Sequence, residues 1–246
     1  MPKVSVIIIT YNRANLLTKA VASVLTQDYL DFELIIIDDA SSDNTSEVVP
    51  EDSRIKYFRN ETNLGISKSR NRGVSLATGE YVAMLDSDDY WLVNNKLSKQ
   101  VSYLDSNLEV GLVGTAIRCE DEQGVFLKED IFETSDKNIR AKLLWKNQFA
   151  QSSILFRKKY FSNYDESLSI GEDYDLWLKI GCDSKLANLP DVMVAYLIHS
   201  GSITKQKIFK TIMATDKIIC RYKNNYPGYF KARIKTVLRL LISLVR

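Results

Sequence analysis

Cysteine and histidine are scarce in this 246-residue chain, and what is missing removes several function classes at once. The three cysteines, Cys119, Cys182 and Cys220, are scattered, odd in number and form no CxxC pair. Neither a disulfide framework nor a zinc site is expected from them. His199 is the one histidine. No uninterrupted apolar stretch approaches the roughly 18 to 20 residues that a membrane-spanning helix needs. The first apolar run, residues 4–9, is preceded by Lys3 and leads into the polar TYNR segment, so it reads as a strand and not as a signal peptide. A cytoplasmic location is the expectation. TYNR also lacks the glycines with which a nicotinamide-binding turn lets its backbone approach a pyrophosphate, and no P-loop is present. The Gly-rich basic opening of a sugar nucleotidyltransferase is missing too. With no internal repeat and no low-complexity linker, one main domain over 1–202 and a helical extension over 203–246 are expected.

Acidic residues are nearly absent from the tail. Residues 203–246 hold 11 Lys or Arg against the single acid Asp216, a net charge of +10, while 1–202 carry −8 within an overall +2. An acidic body with a basic tail suggests an anionic partner, such as a membrane surface or a nucleic acid. No nucleic-acid-reading motif accompanies the charge, so no nucleic-acid partner is expected. A solvated helical face is the plainer alternative.

What is present is a regular alternation. Residues 4–9, 33–38, 54–58 and 81–85 read as strands. Residues 14–25, 41–48 and 65–77 read as helices. Continuous apolar strands separated by helices indicate an α/β fold with a parallel sheet covered on both faces. The second half is less regular. Strands are expected at 109–118, 152–156 and 192–198, a loop or hairpin at 120–134, a helix at 171–181, and helices from 203 broken at Pro227-Gly228.

Ligands of open parallel sheets bind beyond the carboxyl ends of the strands, so the residues there matter most. They are Thr10-Tyr11-Asn12-Arg13, then Asp38 to Asp43, then Asp86-Ser87-Asp88-Asp89. Three polar clusters at three strand ends are expected to converge on one crevice. Carboxylates after a buried strand suit a hard divalent cation that takes its remaining ligands from substrate phosphates. An isolated DxD is more often a turn or cap, and the position of this one is what favours a metal. Asp38 or Asp39 can hydrogen-bond a base or ribose, or merely cap the next turn. Glu172 and Asp173 can likewise be first-turn acids favoured by a helix dipole. Trp91, Trp145 and Trp177 can stack on sugars, although core packing suits Trp177 better.

Taken together, VSVIIITYNR, IIIDDASSDNT, NLGISKSRNRG, ATGEYVAMLDSDD and GEDYDLWL resemble a family 2 glycosyltransferase of the GT-A fold. The resemblance covers roughly residues 3–202. Each motif is loose; five in order are specific. It implies an inverting transfer of a sugar from a nucleotide-diphosphate donor, UDP in most members, to an acceptor hydroxyl, with Mn²⁺ or Mg²⁺ as cofactor. It places Thr10 and Tyr11 at the base pocket, with Asp39 hydrogen-bonding the base. Arg70 lies beside the nucleotide, Asp86 near the ribose and Asp88 on the metal, while Asp89 supports that loop. Asp173 matches the general base and His199 a late histidine that contacts metal or diphosphate. Where many members carry an arginine shortly before that histidine, this chain has Leu197 and Ile198. Bacterial surface-polysaccharide or glycan assembly is the implied setting, with a glycan or lipid-linked glycan as acceptor. A donor-binding subunit that has lost transfer activity is the alternative.

In the tail, Phe230, Ile234, Leu238, Leu241 and Val245 recur at helical spacing, and Lys231, Lys235 and Arg239 form a separate i, i+4 line. Such a basic amphipathic helix suits the inner, anionic face of the cell membrane. It can equally pack on its own domain or on a second subunit, making an oligomer.

Overall fold

The computed structural model of the chain describes residues 1–198 and 208–245. Strands β1 (Val4–Thr10), β2 (Phe32–Asp38), β3 (Ile55–Arg59) and β4 (Tyr81–Asp86) are mutually parallel in the order β3-β2-β1-β4. Every residue of β1 and β2 is buried, which explains their unbroken β-branched runs. Alternate side chains of β1 serve two cores. Val4, Val6 and Ile8 pack with Leu17 and Val21 of α1 (Ala14–Leu25), and Ile7 and Ile9 pack with Val74 of α2 (Ile66–Leu76). One strand thus glues both helical layers to the sheet.

The second half continues the sheet with mixed directions. β6 (Val110–Glu120) pairs parallel with β9 (Lys185–Leu197). β8 (Leu155–Arg157) lies antiparallel between β4 and β6, and β5 (Tyr90–Trp91) is antiparallel to β9. The expected hairpin over 120–134 exists: β7 (Phe126–Asp130) folds back on β6. The last strand begins at Lys185, seven residues before the expected start. Pro190 hides it, because Leu189 and Val192 oppose the consecutive residues Thr115 and Ala116, so Pro190-Asp191 bulge out of the ladder.

The helix expected at 41–48 shrinks to a 3-10 turn, Thr45–Val48. Side chains take over the backbone bonds there: Asp38 accepts from Ser41 N (2.8 Å), and Asp43 accepts from Thr45 N and Ala14 N. Local side-chain bonds of this kind compete with a helix. Helices α3 (Lys96–Ser106) and α4 (Asp136–Leu143) lie where the sequence pattern leads to no expectation of a helix. α5 (Glu172–Asp183) matches the expected helix, and Trp177 on it is fully buried, 6.2 Å from the Phe149 ring. Trp91 is also core, donating to Ser152 O.

Two features of this packing make stability predictions. A Cβ on Gly73 would stand 2.6 Å from Ile7 Cγ2, because α2 lies directly on β1. Gly73→Val is therefore expected to cost about 1–3 kcal/mol by overpacking, read as a lower denaturant midpoint. Lys96 is fully buried with a single hydrogen bond, to Gln100 Oε1 (2.7 Å), and its ammonium lies 4.3 Å from the Trp91 ring. Burial pushes its pKa well below the usual value. The folded state therefore loses this proton at lower pH than the unfolded chain, and stability rises with pH between those two values. Lys96→Met removes the buried amine, and this alkaline rise is expected to flatten in melts run against pH.

Beyond residue 207, α6 (Ile208–Arg221) and α7 (Tyr229–Val245) are separated by Pro227-Gly228, with Gly228 at φ +86°. Ile218 and Ile219 of α6 belong to the same core as Trp177, and Ile212 is buried as well. Tyr226 donates to Leu178 O (2.8 Å), and Arg221 bridges Asp175 and Asp165. α7 touches the body more lightly, through buried Ala232, an Arg233–Asp216 ion pair and the ring of Trp145 beneath Lys231. Its Phe230, Ile234, Val237, Leu238, Leu241 and Ile242 are all exposed. No helix of the described residues is long and apolar enough to cross a membrane.

Candidate active site

The ends of β1, β2 and β4 open into one cleft of about 810 Å³. Its lining includes Thr10, Tyr11, Asp39, Arg70, Asp86, Asp88 and Asp173. Seven of the eight residues expected at the site therefore share one cavity. The metal contact expected of His199 lies outside the described residues.

The floor is braced by the loops after β1 and β2. Asp39 N donates to Thr10 O (2.9 Å), Asn12 N to Ser41 Oγ (2.9 Å), and Ser42 N to Asn12 Oδ1 (2.7 Å). Asn12 and Ala40 sit at φ +51° and +67°, a left-handed conformation that costs a side-chain-bearing residue about 1–2 kcal/mol and is concentrated at functional sites. The buried Asp39 carboxylate accepts from Asn60 Nδ2 (2.6 Å), Leu64 N (2.8 Å) and Gly65 N (2.9 Å). It thus fixes the segment that enters α2. A carboxylate has about four acceptor positions, so one remains for a ligand.

Arg70 is the electrostatic hub. It is buried on α2, with Nη1 2.6 Å from Glu172 and Nη2 2.7 Å from Asp86. Burial opposes its charge, but Asp86 and Glu172 outweigh that and hold it above its ordinary value. Its guanidinium joins the end of β4 to the start of α5 and so fixes the distance between the acidic cluster and Asp173.

In the acidic cluster, ligand atoms of Asp86, Asp88 and Asp89 come within 4.8 Å of one another. Asp89 is buried with both oxygens engaged, by Ser152 Oγ (2.5 Å) and Leu197 N (2.9 Å). It ties the loop to β9. Burial, then Asp88 and Asp86, raise its pKa strongly. Asp86 is raised as well, by burial against the pull of Arg70. Asp88 is paired with Arg13 Nη1 at 2.7 Å. Carboxylates crowded on one loop, two of them with raised pKa values, are a hard-oxygen donor set that gains from a divalent cation.

Asp173 stands at the first turn of α5. Gly171 precedes it at φ +81°, a left-handed conformation that glycine adopts without steric cost. Asp173 is half-buried and lines the cleft. Burial and then the neighbouring Glu172 raise its pKa to about 6, against the pull of Arg70. A carboxylate tuned near neutral pH inside a cleft suits a general base.

Arg13 and Gln151, both in the cleft lining, have no role that the sequence pattern assigns. Arg13 is visible in the sequence only as the last residue of TYNR; its contact with Asp88 depends on the sheet order. Gln151 is buried, lines the cleft and donates to Tyr164 OH (3.0 Å). No local pattern marks it, because it lies in a short 3-10 turn before β8.

Comparison with known proteins supplies the family and the fold. The profile described as Glycosyl transferase family 2 matches residues 5–165. The Escherichia coli UDP-Glc:alpha-D-GlcNAc-diphosphoundecaprenol beta-1,3-glucosyltransferase WfaP is 32% identical over 225 residues, covering 89% of this chain and 86% of WfaP. The structure of Staphylococcus aureus TarS residues 1–349 in complex with UDP-GlcNAc superposes with a TM-score of 0.75 at 21% identity, over 97% of this chain and 71% of that one. The mannosyltransferase PcManGT of Pyrobaculum calidifontis, in complex with GDP-Man and Mn²⁺, gives 0.71 at 18% identity, over 99% and 75%. The fold is GT-A, and the chain belongs to glycosyl transferase family 2.

Proposed function

We propose that this glycosyltransferase moves a sugar from a UDP-sugar to an acceptor hydroxyl with inversion, using Mn²⁺ or Mg²⁺. The observation that carries the reading is the meeting of three groups in one cleft: the Asp86–Asp88 cluster, the Thr10–Tyr11–Asp39 floor, and Asp173 with its raised pKa. UDP is favoured by the nucleotide that the TarS complex holds and by the donor named for WfaP.

Asp88 would hold the cation, which supplies Lewis-acid stabilisation of the leaving diphosphate, and Asp86, expected near the ribose, lies close enough to share it. Arg13 then has to yield or share Asp88, which frees its guanidinium beside the same diphosphate. Thr10 and Tyr11 bound the base pocket, Arg70 keeps Asp86 in place, and the remaining acceptor position of Asp39 meets the base. Asp173 takes the proton from the acceptor hydroxyl as that oxygen attacks the anomeric carbon from the face opposite the diphosphate. Incubation with UDP-glucose and UDP-GlcNAc, with Mn²⁺ or with chelator, tests the reading. Metal-dependent release of UDP supports it. A chelator-insensitive rate, or release from neither donor, contradicts it.

The acceptor is proposed to be a lipid-linked glycan, as WfaP's name states for that enzyme, with α7 lying on the anionic membrane that carries it. Six exposed apolar side chains on one helix are the support. Full-length chain is expected to float with anionic vesicles, and Ile234→Asp/Leu241→Asp to remain in the soluble fraction. Equal flotation of both would contradict the membrane assignment.

A further inference from the structure

Among the described residues, four cationic side chains line the cleft: Arg13, Arg70, Lys128 and Arg239. Three face carboxylates. Arg13 pairs with Asp88, Arg70 with Asp86 and Glu172, and Lys128 with Asp130. Arg239 is exposed and has no ion-pair partner among the described residues. It stands one turn beyond Lys235 on α7, the helix that carries the unpartnered apolar side chains.

Arg239 also has lysines nearby, although the cleft it lines holds the acidic cluster and Asp173. Lys235 donates to Trp145 O (2.8 Å), and Lys231 stands 3.8 Å over the Trp145 ring. Burial, then Arg239, Lys146 and Lys231, push the Lys235 ammonium below its usual value. Arg239, Lys146 and Lys231 all repel the Lys235 ammonium, and this group, of which Arg239 reaches the cleft lining, is a place where an anion is stabilised. The same helix exposes Phe230, Ile234, Leu238 and Leu241. α7 thus carries the cleft-lining Arg239, further cations and an exposed apolar stripe on one helix.

We propose that Arg239, backed by Lys235, binds the phosphate or diphosphate that joins the acceptor's sugar to its hydrocarbon chain. The sugar then enters the cleft toward Asp173, and the hydrocarbon runs along the outer face of α7. This rests on the glycosyltransferase reading above and adds to it the residue that recognises the acceptor's anionic link. It also explains why Arg239 of the basic line on α7 reaches the cleft lining: the cations serve a ligand that spans cleft and apolar stripe.

The test uses the full chain, with the donor site filled by UDP at fixed free Mn²⁺, so that a second anion reports on another location. Farnesyl diphosphate is the probe, with farnesol and inorganic pyrophosphate as its apolar and anionic halves. Farnesyl diphosphate is expected to bind tighter than either half. Arg239→Gln is expected to weaken it at least tenfold, Arg239→Lys to recover most of that, and farnesol and UDP affinities to stay unchanged. Unchanged farnesyl diphosphate affinity in Arg239→Gln overturns the assignment. So does an equal loss of UDP affinity, which would give Arg239 to the donor's diphosphate. Failure of UDP to bind the wild-type chain with Mn²⁺ is a different result: it removes the underlying donor site and this inference with it.

Discussion

Asp173→Asn is expected to lower the transfer rate by about 10²- to 10⁴-fold, the usual contribution of a general base, while leaving UDP affinity with Mn²⁺ within about twofold. The substitution keeps the size of the side chain and its place in the first turn of α5, so the Arg70–Glu172 pair beside it stays intact. What it removes is the ability to take a proton from a hydroxyl. The pH profile offers a second reading of the same group. Asp173 accepts a proton only when ionised, and burial with Glu172 raises its pKa to about 6. The profile of kcat/KM is therefore expected to be level above that value and to fall tenfold per pH unit below it. A cation at Asp86 and Asp88 favours the ionised form and moves the limb to lower pH. An acid limb in the wild type that survives unchanged in a still-active Asp173→Asn would assign the base elsewhere.

Arg70→Ala is expected to destabilise the fold by about 3–5 kcal/mol, the range for removing one member of a buried ion pair. Arg70 is 4% exposed and bonds Asp86 and Glu172 at 2.7 and 2.6 Å. Without it, two carboxylates on different elements face each other in a low-dielectric site. Acidification is expected to recover part of the loss in Arg70→Ala, because protonation removes their repulsion. A denaturant midpoint close to the wild type would show that Arg70 contributes little to holding β4 against α5. Arg70→Lys is the useful comparison, because it retains the charge but cannot reach both acids with a planar fork.

The first half of the fold was legible because its physics is local. Buried parallel strands need continuous apolar runs, and VSVIII, ELIIID and YVAML supply them between helical stretches. The cleft followed from the polar clusters at their ends, and the structure gathers Thr10, Tyr11, Asp39, Arg70, Asp86, Asp88 and Asp173 there. The misses share a cause. β9 reads as too short at Pro190 because a bulge is set by its partner β6, not by its own residues. The expected helix after Asp38 fails because Asp43 bonds across to Ala14 N, 29 positions away. α3 carries Lys96 and Gln100 on its buried face, which blurs the apolar period that marks a helix. Arg13 and Gln151 owe their places to tertiary contacts with Asp88 and Tyr164. The break at Pro227-Gly228 was readable from glycine's tolerance of positive φ. The direction in which α7 turns its basic line was not, because Trp145 sets it from 90 residues away.

Calorimetric titration of UDP, GDP, CDP and dTDP, each with Mn²⁺ and with chelator, tests most directly the claim that these strand ends build a metal-dependent donor site. Preferential binding of UDP that needs Mn²⁺ and is lost in Asp88→Ala is the predicted result. Binding of UDP that is indifferent to chelator and to Asp88→Ala, or binding of none of the four, would contradict it.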